Sequence, residues 1–291
     1  MMAGVRRSLL YVPGDSERML NKAAELPADM LLLNLEDGVS AGLKDEARSN
    51  VCRALRSVDF GNREVIVRIN AVGSPAGQQD LAAVVPLNPD GICVPKVEKA
   101  ETMRDLDLPL ARLERAAGIE PGTVRLHAMI ESPRGVVRCP EIASASPRMS
   151  ALIFGSADFA AEARCLPTED RLELLLVLQS IVLAARAGGI DAIDSPCFNL
   201  WDAGILEREC AQARRLGFDG KSALHPGQLD VINRAFAVSP EELAWAQRIL
   251  GELQSAEERG RALSTLDGQL IDDPHRKAAE AILRRAQRTA G

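Results

Sequence analysis

Carboxylates and cations recur at the ends of short apolar runs along this 291-residue chain. Glu36-Asp37 follow Met30 to Leu35, Arg68 and Asn70 lie in and after Val65 to Ile69, and Lys96 follows Gly91 to Val94. Glu131 closes Val124 to Ile130, Asp158 follows Ala151 to Phe154, Asp194 sits in Ala192 to Ser195, and His225-Pro226 follow Ser222 to Leu224. Charges so placed are costly without partners. Carboxylates facing Arg and Lys suit a hard-cation site that handles an anionic substrate. Glu131 and Asp158 are the candidate ligands, because Mg²⁺ takes one or two carboxylates and completes its shell with water and substrate. His127, His225 and His275 lack HxxxH or HxH spacing, which argues against zinc. In Phe154-Gly155-Ser156-Ala157-Asp158, backbone N–H groups at a helix start would hold a substrate carboxylate. Arg68 either stabilises a developing enolate, clamps a carboxylate or pairs with Glu36 or Asp37. The ordinary alternative for each carboxylate is a helix cap or an ion pair, and His225 is expected to serve a structural hydrogen bond.

The elements that must position these residues are legible as alternation. Near-continuous hydrophobicity such as Met30-Leu31-Leu32-Leu33 predicts strands buried on both faces, as in a parallel sheet. Between them run helical patterns: Leu43, Ala47, Val51, Ala54, Leu55 and Val58 form one stripe. A helix from about Glu169 to Ala187 is apolar nearly all round and stops at Gly188-Gly189, so it is either deeply packed or part of a subunit interface. Ser239-Pro240-Glu241-Glu242 and Asp273-Pro274 open two further helices. Eight strand–helix units and a tail predict a (β/α)8 barrel over residues 1–235, with a C-terminal helical extension or lid over 236–291. In such a barrel the strand C-termini form the active-site mouth. A doubly wound open sheet is the alternative, but no GxGxxG follows the first strand.

Composition narrows the function classes. With 35 basic and 41 acidic residues the net charge is −6, and only 3% of residues are aromatic, which disfavours a nucleic-acid partner. At 46% hydrophobic and 26% charged, the chain reads as globular. The apolar stretch Leu172 to Ala187 is interrupted by Glu173, Gln179 and Arg186, so no membrane span is expected. The six cysteines form no CxxC pair, and the N-terminus has too short an apolar run for a secretory signal. Reduced, buried thiols and a cytoplasmic location are the expectation.

Nine segments in order, RRSLLYVPG (6–14), NLEDGVS (34–40), VRIN (67–70), VPKVE (94–98), IESPRGV (130–136), FGSADF (154–159), AARAGGIDAID (184–194), LGFDGKSALHP (216–226) and GQLIDDP (268–274), resemble the citrate lyase β-subunit-like branch of the HpcH/HpaI aldolase superfamily. That branch includes malyl-CoA and citramalyl-CoA lyases. The resemblance implies a Mg²⁺-dependent carbon–carbon lyase that cleaves, or forms, a 3-hydroxyacyl-CoA thioester, giving acetyl-CoA and an α-keto acid. It implies Glu131 and Asp158 as metal ligands, with Glu36 and Asp37 holding the metal's waters. Arg68 would contact the reacting carbonyl, Asp272 would be the acid/base, and Arg7 and Lys96 would meet the coenzyme A phosphates. It also implies a homo-oligomer, a trimer or hexamer, in which Asp272 comes from a neighbouring subunit's tail. A citryl-carrier-protein lyase subunit of a larger citrate lyase and a CoA-independent class II aldolase for hydroxy-keto acids are the alternatives. Asn34 stands where the family commonly has Asp, and Ala161 to Arg164 depart from its usual Leu-Gly ending.

Overall fold

The computed structural model describes residues 4–290, and side chains up to residue 287. Eight parallel strands close into a barrel in chain order: β1 Ser8–Pro13, β2 Met30–Asn34, β3 Glu64–Arg68, β4 Gly91–Val94, β5 Arg125–Ile130, β6 Met149–Phe154, β7 Asp191–Asp194 and β8 Gly220–Ala223. Pairing of β1 with β8 completes the ring through Leu9 opposite Ser222 and Leu10 opposite Ala223. The strands are buried on both faces because helices surround the barrel, which is why their sequences carry runs instead of alternation.

Strand periodicity fixes what the barrel interior contains. Leu9, Met30, Leu32, Ile66, Cys93, Met129, Ile153 and Ile193 pack together there, with Tyr11 against them. Stepping two residues along the same strands reaches Asn34, Arg68, Glu131 and Gly155, so the side chains at the mouth belong to the inward-facing rows. At the opposite end Arg6 closes the barrel, with Nε and Nη2 at 2.6 and 2.7 Å from the Glu64 carboxylate and Nη1 at 3.0 Å from Asp191 Oδ2.

The chain divides into two compact units, one running from Arg6 to Ala235 and the other formed by residues 236–290 with Gly4 and Val5. The second is not purely helical. Helix Pro240–Glu258, capped reciprocally by Ser239 and Glu242, is followed by a hairpin of β9 (Ser264–Leu266) and β10 (Gln269–Ile271) and then by helix Asp273–Ala290. Asp267 and Gly268 both have positive φ, the two-residue turn that suits a tight hairpin. Ala246, Ile249, Leu253, Ile271 and Ala279 form this unit's core.

The helix expected from Glu169 begins instead as a single turn at Leu172–Leu174 and continues as Leu175–Gly188, with Gly189 left-handed behind it. Its inner face is buried at Val177, Leu178, Ile181, Val182 and Ala185, whereas Leu172, Leu176 and Leu183 are exposed. All six cysteines are free, and five are buried. Among the described residues no helix is long and apolar enough to cross a membrane.

Candidate active site

Glu36 and Asp37 follow β2 on a turn held from three directions. The Asn34 side-chain oxygen accepts the Glu36 N–H at 3.0 Å. The Lys44 ammonium donates to the carbonyls of Leu35 and Glu36 at 2.8 and 2.9 Å. Arg68, the last residue of β3, donates from Nη2 to Glu36 Oε2 and lies 4.0 Å from both Asp37 and Glu131. Burial disfavours the Arg68 charge, but Tyr11 and the carboxylates Glu36 and Glu131 outweigh that and raise its pKa.

Lys96 ties the two halves of the cluster together. Its backbone is left-handed (φ 51°), a conformation in which its N–H reaches Glu131 Oε1 at 2.7 Å. Its ammonium meets Asp37 at 2.8 Å and Glu36 at 3.1 Å. Burial opposes ionisation of Asp37, yet the Lys96 bond holds its pKa below the ordinary value.

Glu131, buried at the end of β5, contacts Asp158 in the first turn of helix Ser156–Ala163. Burial pushes the Glu131 carboxyl up to about 7; Arg68 and the Lys96 N–H pull the other way, and Asp158 adds to the rise. Gly155 makes the approach possible, since a Cβ there would lie 2.7 Å from Glu131 Cβ and 2.8 Å from Oε2. Two carboxylates in contact repel when both are ionised, and a divalent cation between them removes that cost. The donor set therefore fits Mg²⁺. No cluster of three or more His, Cys, Asp or Glu able to hold a metal occurs among the described residues, so remaining ligands would be water and substrate. Arg68, Glu131, Asp158, Met129, Phe198 and Leu224 are among the residues lining a cavity of about 400 Å³, sized for a small ligand.

Several sequence expectations change on this geometry. Arg7 precedes β1 and so lies at the end of the barrel away from the mouth, where it forks onto Asp29 with two contacts of 2.8 Å. The Lys96 ammonium, expected at a coenzyme A phosphate, is engaged by Glu36 and Asp37. Asp194 follows inward Ile193 and therefore turns outward, where Arg171 grips it at 2.7 and 2.9 Å and Lys221 at 2.8 Å. Burial opposes its charge, but Arg171 and Lys221 take its carboxyl down to about 2. His225 Nδ1 accepts the Gly227 N–H at 3.0 Å, the structural bond expected of it. Asp272 sits in the C-terminal unit between β10 and the last helix, with Oδ1 2.7 Å from His275 Nδ1. Sequence reading missed Lys44 and the cavity walls Phe198 and Leu224, because nothing local distinguishes a lysine that reaches back to two carbonyls.

Comparison with known proteins decides the family. Residues 7–226 match HpcH/HpaI aldolase/citrate lyase, and residues 174–289 match the C-C bond lyases of the TIM-barrel fold. The chain belongs to the HpcH/HpaI aldolase/citrate lyase family. Within it, the chain is similar to the citrate lyase β subunit of Leuconostoc mesenteroides, 36% identical over 97% of this chain and 93% of the relative. It is also similar to the (3S)-malyl-CoA thioesterase of Cereibacter sphaeroides, 36% identical over 98% and 95%. A solved family structure, CitE of Mycobacterium tuberculosis in complex with magnesium, acetoacetate and coenzyme A, superposes with a TM-score of 0.78. It is 30% identical, over 98% of this chain and all of that one. The protein is accordingly a carbon–carbon lyase of the citrate lyase β/malyl-CoA type by family.

Proposed function

We propose that this family member is a Mg²⁺-dependent lyase that splits a 3-hydroxyacyl-CoA thioester, such as citramalyl-, malyl- or citryl-CoA, into acetyl-CoA and an α-keto acid, or runs the reverse. The observation that carries this reading is the Glu131–Asp158 contact beside Arg68 in one cavity. Glu131 and Asp158 would hold the ion, which supplies Lewis-acid polarisation of the substrate oxygen and charge compensation. Glu36 and Asp37, fixed by Lys44, Lys96 and Arg68, would orient water around it. The backbone N–H groups of Ser156 and Ala157, at a helix N-terminus, would receive the substrate carboxylate. As the C–C bond breaks, its electron pair passes into the thioester as an enolate while the hydroxyl gives its proton to water and becomes the keto oxygen. Arg68 would stabilise the enolate oxygen, and its buried Nε, without a partner among the described residues, is a donor available for it. Asp272, placed in this role by its motif, would return one proton to the carbon, so protons balance. The Asp272-bearing residues 236–291 would serve as a lid in a homo-oligomer.

The relative called a thioesterase favours a second reading, hydrolysis of the thioester to free hydroxy acid and CoA. Product analysis separates them: purified protein with Mg²⁺ should release acetyl-CoA and keto acid, and EDTA should stop it. Free CoA with the intact hydroxy acid would establish hydrolysis instead. Activity appearing only when a carrier-protein thioester is supplied would establish the citrate lyase subunit reading.

A further inference from the structure

We infer that the cavity selects keto acids with a single carboxylate and a small uncharged substituent, and rejects dicarboxylic ones. This rests on the lyase reading above and concerns the group on the keto-acid half. The positive charge at the site is already matched before substrate enters. Arg68 is bonded to Glu36, and the Lys96 ammonium to Asp37 and Glu36. A divalent ion would be matched by Glu131 and Asp158. One substrate carboxylate can be received by the ion and the Ser156–Ala157 amides. A second meets no cation that is not already matched by a carboxylate.

Arg68 is the one cationic residue among those described as lining the cavity. The Lys44 ammonium, held under the Glu36 turn, is occupied by two backbone carbonyls. Part of the wall is apolar: Met129, Pro196, Phe198 and Leu224 line it, and a hydrogen or methyl substituent would rest there without loss. A second carboxylate beside that wall would shed water without gaining a counter-ion. Asn34, which lines the same cavity, offers a neutral NH2 donor and no charge, its oxygen accepting from the Glu36 N–H. A site lacking the complementary group discriminates by charge more sharply than it can by a methylene.

The test is calorimetric titration of the Mg²⁺-loaded protein with glyoxylate, pyruvate and oxaloacetate, each with Mg²⁺ in excess over the acid, so that binding is read without turnover. Glyoxylate or pyruvate should bind at least about 30-fold more tightly than oxaloacetate. Leu224→Arg supplies the missing cation and should shift the oxaloacetate-to-pyruvate affinity ratio at least about tenfold toward oxaloacetate, while Leu224→Met keeps the original order. Oxaloacetate binding as tightly as pyruvate to the unaltered protein would overturn the inference and leave the lyase reading standing. Failure of all three acids to bind would overturn both.

Discussion

The outward turn of Asp194 makes a quantitative claim that separates a structural carboxylate from a catalytic one. Its carboxylate is fully buried and its pKa falls from 3.8 to about 2 under Arg171 and Lys221. A depressed folded-state pKa contributes stability that is complete above the unfolded value and is lost as pH falls from about 4 to about 2. The shift corresponds to about 2 kcal/mol at neutral pH. Asp194→Asn costs more than that difference, because it leaves Arg171 buried without its carboxylate and Lys221, with no exposed side-chain surface, with Glu209 as its remaining carboxylate. Breaking a buried pair from one side destabilises by about 3–5 kcal/mol. For a chain of this size that lowers Tm by roughly 6–15 °C. The assay is thermal unfolding of the wild type and Asp194→Asn from pH 7 down to pH 3, paired with kcat at 20 °C. The gap between the two should be largest at pH 7 and narrow on acidification, with kcat little changed. Wild-type stability combined with a collapsed kcat would place Asp194 in the cavity and refute the assignment of strand faces.

Asp158→Ala should abolish Mg²⁺-dependent turnover without lowering Tm by more than a few degrees, read by acetyl-CoA release and thermal unfolding, since the side chain is exposed at the cavity. Gly155→Ala should weaken Mg²⁺ binding at least about tenfold by calorimetry, because its new Cβ falls within 2.8 Å of a Glu131 oxygen. Asp272→Asn should lower kcat by about 10²-fold or more with KM within a few-fold; steady-state kinetics that show only a KM rise would make it a binding residue.

Much of the barrel was readable before folding because a strand buried on two faces has to be apolar throughout, and runs such as Met30 to Leu33 admit few other environments. Boundaries moved by a residue or a few: β3 starts at Glu64 because its N–H pairs with the Asp29 carbonyl beside β2, a partner 35 residues away that no local window contains. The β9–β10 hairpin was missed despite Asp267-Gly268, since strands of three residues show too little alternation to be recognised. Of the strand-end charges, Glu36, Arg68, Lys96 and Glu131 meet as their order along the chain suggests, and Asp158 joins them through Glu131. Arg7 and Asp194 do not.

What the sequence determined by itself is the order of strand–helix units, the family motifs and the presence of carboxylates and cations after apolar runs, because hydrophobic burial and local spacing are written residue by residue. Which of those charges share a cavity was decided by tertiary structure. Closing the barrel sets the face each strand residue presents, so a single position separates inward Ile193 from outward Asp194. The left-handed backbone at Lys96 and the close approach at Gly155 that bring Glu131 into place depend on neighbours 35 and 24 residues away, and those contacts exist only once the ring has closed.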